Sequence, residues 1–137
     1  MLRNLQAARL LVIFDACHSG GAGEPKAISG SQTGGLSETY YQRLAQGRGR
    51  VVMASSRPNE KSWTLAGMDH SLFTHYLLEA LHGQAKTLGD SYIRVFDLFR
   101  HVAEHVPVRA AQVKVSQHPI FKAAAMEEDF PVALVQR

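Results

Sequence analysis

The chain's single cysteine, Cys17, stands between an apolar run, Leu10–Phe14, and a glycine-rich stretch that opens at Gly20. A thiolate is a strong nucleophile and can form an acyl-enzyme with a peptide carbonyl, provided that a base activates it. A lone cysteine is also an ordinary small core residue. The flanks weigh against that second reading. Asp15, Ala16, His18, Ser19, Gly20 and Gly21 are small or polar, and they suit a loop that a substrate backbone approaches. On an extended segment Asp15, two residues before Cys17, lies on the cysteine's side, and the adjacent His18 points away. His18 therefore reads as a loop residue and not as the base.

Other chemistry has weaker support. His101-Val102-Ala103-Glu104-His105 matches an H-x-x-E-H pattern, and two histidines four apart on a helix share a face that can bind zinc. A third ligand would have to come from His118, Glu127, Glu128 or Asp129, and the pair flanks an apolar stripe as solvated helix residues do. No metal is expected. His70, His75 and His82 read as surface or capping groups. There is no phosphate-binding G-x-x-x-x-G-K-[ST] loop and no G-x-S-x-G elbow.

The elements that must position Cys17 follow from patterning. The 137 residues are 45% hydrophobic and 20% charged, which suits one globular domain. No apolar run is long enough to span a bilayer, no signal pattern is present, and the expected compartment is cytoplasmic. One cysteine excludes an internal disulfide framework. The net charge of +3 comes from scattered basic residues, with no basic–aromatic patch for nucleic acid. Leu10–Phe14 and Arg50–Ala54 read as buried strands. Pro119–Lys122 reads as a last strand. Helices are expected over Glu38–Gln46, over Asp69–His82 with Gly83 ending it, and over Ser91–Val106, closed by Pro107. Ser19–Ser37 holds six glycines and reads as a long loop. The class is α/β with a mainly parallel sheet, and Cys17 falls at its carboxyl edge, where such sheets build their sites. Three strands leave the apolar Leu10–Phe14 strand short of neighbours. The pattern is thus that of the C-terminal part of a larger domain, or of one half of something assembled.

The sequence resembles a family. "DACHSG" after an apolar strand is similar to the catalytic-cysteine motif of caspase-like cysteine peptidases (peptidase C14), in particular the metacaspase type. "VVMASSRPNEKSW" (Val51–Trp63) resembles the next strand and its substrate-binding loop. "HSLFTHYLLEALHG" (His70–Gly83) resembles the following helix, and "QHPIF" (Gln117–Phe121) the final strand. In order, the four cover about residues 8 to 122. The resemblance implies a three-layer caspase-like sandwich whose N-terminal strands are missing, and a cysteine endopeptidase with Cys17 as nucleophile. The family's base is a histidine in a His-Gly pair at the end of the preceding strand. Sixteen residues precede Cys17, and none is a histidine. Weak or absent turnover by this chain alone is the expectation.

By the same resemblance Asp15 lines the S1 pocket and Glu60 is a second acidic pocket residue. Each could equally be a solvated or turn-capping carboxylate. Aspartate-cutting caspases carry a Ser-Trp-Arg-like stretch whose arginine binds substrate. Here it reads Ser62-Trp63-Thr64, which favours cleavage after Arg or Lys. Trp63 is a candidate subsite wall, and the backbone of Ser55 and Ser56 a candidate partner for an extended substrate. Lys26, the only basic residue of the glycine-rich stretch, is a candidate autoprocessing site. Many metacaspases are calcium-activated, but no ligand set carries over. Expected partners are a peptide or protein substrate with a basic P1 residue, and either the rest of the domain or a chain that supplies it. No nucleic acid or membrane partner is expected. The competing reading is a non-catalytic caspase-like module completed by a partner.

Overall fold

A computed structural model describes residues 5–15, 38–125 and 128–136. Its elements are β1 (Leu10–Phe14), α1 (Glu38–Leu44), β2 (Arg50–Ala54), α2 (Leu72–Glu79), β3 (Tyr92–Arg94), α3 (Val95–Gln112), β4 (Ile120–Lys122) and β5 (Pro131–Leu134). The class is α/β, as the patterning indicates. Among the described residues no helix is long and apolar enough to cross a membrane.

The β-branched run at Arg50–Ala54 makes β2 the central strand. It pairs in parallel with β1, from Leu10 opposite Arg50 to Phe14 opposite Ala54. On its other edge it pairs antiparallel with β4, with Met53 opposite Phe121. Successive side chains of a strand face opposite ways. Val52 and Ala54 pack with Tyr41 in the middle of α1 and with Ala45 just past its end. Met53 packs with Leu72, Phe73 and Leu77 of α2 and with Leu98, Val102, Val106 and Ala110 of α3. Val51 meets Val95 and Phe130. Burying each such side chain is worth roughly 1.5–3 kcal/mol, so β2 is the fixed frame against which the neighbouring strand ends are set.

Among the described residues the sheet is mixed and not mainly parallel: one strand pairing is parallel, and both β2–β4 and a separate β3–β5 pair are antiparallel. β3 and β5 are strands that local patterning does not reveal. They exist by pairing with each other, Ile93 opposite Ala133, and they displace the start of α3 from Ser91 to Val95. Nor does Pro107 close α3. The ring removes one N–H and crowds the preceding turn, at about 3 kcal/mol. Val106 and Ala110, fully buried on either side of it, hold the helix together as far as Gln112. α2 begins at Ser71, whose hydroxyl accepts the Thr74 N–H at 3.0 Å, two residues inside the expected start. It widens over Ala80–Gln84 and turns out at Gly83, where φ is +93°.

β1 is less buried than its apolar sequence suggests. Among the described residues it pairs with β2 alone, and Ile13 is 38% exposed.

Candidate active site

Asp15 follows β1 directly, at the carboxyl edge of the parallel pair. Its Oδ1 accepts the Ser62 hydroxyl at 2.8 Å. Its Oδ2 accepts the hydroxyls of Ser71 and Thr74. Three separate segments therefore converge on one carboxylate: the end of β1, the loop after β2, and the first turn of α2. Ser71 serves twice, as the cap of α2 and as a donor to Asp15. These three donors are dipoles without net charge. They orient the carboxylate.

Glu60 closes the turn that follows Ser55 and Ser56. Its carboxylate accepts the His118 backbone N–H and ring Nδ1, both at 2.7 Å, and the Ser116 hydroxyl at 2.9 Å. Burial pushes its pKa up, but the bonds from the His118 ring and backbone and from Ser116 outweigh it, and the pKa sits below the usual 4.5. Glu60 thus clamps the turn to residues 116–118, an interior use that the sequence reading of a second pocket acid did not contain. The native state releases this proton more readily than the unfolded chain. Glu60 therefore adds stability above the unfolded pKa, and that contribution disappears as pH falls through the native value. Glu60→Gln is expected to flatten the loss of melting temperature below about pH 4.5. Melting curves from pH 7 to pH 3 check this, and identical slopes for both proteins would contradict it.

Between these acids lies Gln117, fully buried, which the sequence reading passed over as part of a strand motif. Its side chain accepts the Trp63 N–H at 2.9 Å and donates to the Ser55 carbonyl at 2.9 Å. The Ser55 N–H donates to the Phe14 carbonyl at 2.9 Å. Both backbone polar groups of Ser55 are thus engaged within the fold, which differs from the expectation of a substrate-pairing backbone there. The reason is simple: Ser55 continues the β1–β2 ladder by one residue. The Ser56 hydroxyl turns back to the Glu60 carbonyl at 3.4 Å. Trp63 is half-buried. Its carbonyl accepts from Leu72 at 2.7 Å, and the Lys61 ammonium lies 5.8 Å from its ring centroid. Its Nε1 is buried without a hydrogen-bond partner among the described residues.

The family model for the caspase domain of peptidase C14 matches residues 1–131. The chain belongs to this caspase-domain family. No curated protein and no solved structure gave a match. The family is one of cysteine peptidases. Cys17, His18, the Ser19–Ser37 stretch and Lys26 lie outside the described residues.

The other histidines of this caspase domain have different surroundings. His75, His101 and His105 gather with Tyr76 and Glu79 where α2 packs on α3. The His101 and His105 rings are 4.2 Å apart, and Tyr76 stacks on His105 at 5.1 Å. His101 is only 7% exposed, not solvated as its place beside the apolar stripe suggested, because α2 covers it. Burial, then the neighbouring His105, lowers its pKa against the opposing pull of Glu79. His105 Nδ1 is bonded to the His101 carbonyl at 2.7 Å. Among the described residues no three His, Cys, Asp or Glu side chains are arranged to hold a metal ion.

Proposed function

We propose that this chain is the nucleophile-bearing part of a metacaspase-type cysteine endopeptidase that cuts after Arg or Lys. The observation that carries the specificity is the Asp15 carboxylate, gripped by Ser62, Ser71 and Thr74 two residues before Cys17. In this reading the Cys17 thiolate attacks the scissile carbonyl, and the Cys17 N–H stands beside the developing oxyanion. The guanidinium or ammonium of the P1 residue meets the Asp15 carboxylate, which Ser62, Ser71 and Thr74 orient. Glu60 supports the loop that carries Ser62 and Trp63. Trp63 walls the adjacent subsite, and pairing with the substrate backbone falls to Ser56 and the residues after it.

The general base belongs, in this proposal, to a strand that adds to the outer edge of β1. The support is that β1 pairs on one side only among the described residues while its side chains are apolar. An unpaired apolar strand edge is a template for a further strand. The same observation supports the second reading, a caspase-like module completed by another chain. Imidazole in solution separates the two. If only the base is lacking, hydrolysis of an Arg-P1 fluorogenic peptide rises in proportion to added imidazole, and the Cys17→Ala variant shows no such rise. No rescue with an otherwise folded protein would favour the non-catalytic module.

A further inference from the structure

A fully buried amide must find partners for both of its ends. For Gln117 those partners fix which end is which. The Trp63 N–H can only donate, so it takes Oε1. The Ser55 carbonyl can only accept, so it takes Nε2. The same Nε2 also faces the Ser62 hydroxyl oxygen at 3.5 Å. A hydroxyl has one hydrogen. With an N–H turned towards its oxygen, that hydrogen is directed to its other neighbour, Asp15 Oδ1, at 2.8 Å. Ser62 is itself buried, so water does not compete for this choice.

We infer that Gln117 is a positioning residue for P1 recognition: it sets the Ser62 hydroxyl as a donor to Asp15, and so fixes the carboxylate that meets the basic side chain. This rests on the reading of Asp15 as the P1-binding acid. The relay also explains the position of Glu60. By binding Ser116 and His118 it clamps both neighbours of Gln117. A carboxylate 57 positions before it in sequence thereby holds the amide at the site.

Gln117→Glu is the direct test, because it keeps size and shape and reverses polarity at one atom. One carboxylate oxygen still accepts from Trp63. The other loses the bond to the Ser55 carbonyl and presents an acceptor to the Ser62 oxygen, so the Ser62 hydrogen turns towards it and away from Asp15. The readout is the ratio of Cys17 labelling rates by two acyloxymethyl ketone peptides that differ only at P1, arginine against its neutral isostere citrulline. Thiol reactivity cancels in this ratio, and the iodoacetamide rate monitors it separately. In the parent chain the ratio is expected near 100, on the scale of a desolvated charge pair. In Gln117→Glu it should fall by about five- to tenfold, the scale of one charge-assisted hydrogen bond, with the iodoacetamide rate unchanged. Ser62→Ala should fall similarly, and the double variant no further than the larger single effect.

A ratio within twofold of the parent in folded Gln117→Glu overturns the relay, as do additive losses in the double variant. If Gln117→Glu does not fold, Ser62→Ala decides: a fall supports the relay and an unchanged ratio overturns it. A parent ratio near one sinks the P1 role of Asp15 itself, and the relay with it.

Discussion

Asp15→Asn is expected to reduce the arginine-over-citrulline labelling ratio by about 100-fold, to near one, because in the proposed function it removes the charge that meets the P1 guanidinium. The substitution is close to isosteric. The amide oxygen can still accept from Ser62, and the hydroxyls of Ser71 and Thr74 can rotate to meet the amide hydrogens. Folding is therefore expected to survive, with a modest loss in melting temperature as charge-assisted bonds become neutral ones. Labelling by the citrulline peptide should change little, since its P1 carries no charge. A parallel fall with both peptides would instead mean that Asp15 acts on the thiol or on the fold, and the specificity assignment would be lost.

Gly49→Ala is expected to be the most damaging change distant from the site. Gly49 has φ +71°, and a Cβ there would stand 2.3 Å from the Ala8 carbonyl oxygen. Backbone cannot swing aside as a long side chain can. The left-handed conformation alone costs a non-glycine residue of order 1–3 kcal/mol, and relieving the clash adds to it, for a total of about 3 kcal/mol or more. The effect would reach the site. The Gly49 carbonyl accepts the Leu10 N–H at 2.9 Å, and so sets where β1 starts against β2. A shift at Leu10 moves Asp15, five residues further along the same strand direction, out of reach of Ser62. Thermal melting and the labelling ratio should therefore fall together. A stable Gly49→Ala protein with an altered ratio, or one with both unchanged, would contradict this coupling.

The parts of this caspase domain that were legible in the sequence are those fixed by local composition. Leu10–Phe14 and Arg50–Ala54 are dense in Val, Ile and Leu, and their ends coincide with those of β1 and β2. β3 and β5 have three and four residues and are held by each other, so no local window contains the reason for them. Pro107 is a stop signal in isolation, and tertiary burial of Val106 and Ala110 overrides it. The same divide runs through the site. The place of Asp15 is legible because a carboxylate, a thiol and glycines follow an apolar strand, whereas Cys17 lies outside the described residues. Gln117 is not, because its role depends on Ser55 and Ser62, 62 and 55 residues earlier. Ser71 falls inside the helix expected over Asp69–His82, whereas its hydroxyl caps α2 and also serves Asp15. The histidines were legible as a motif and misleading as one: H-x-x-E-H describes spacing, whereas α2 determines that His101 packs against Tyr76 and Glu79.

In the proposed function Cys17 is a peptidase nucleophile beside a pocket for a basic side chain. The most direct test of this proposal is intact-mass labelling of this chain by peptidyl acyloxymethyl ketones with arginine or aspartate at P1, with Cys17→Ala as control. The account predicts a single adduct on Cys17, formed at least about tenfold faster with arginine, and none in the control. Equal rates for the two peptides, or faster labelling by the aspartate peptide, would contradict it.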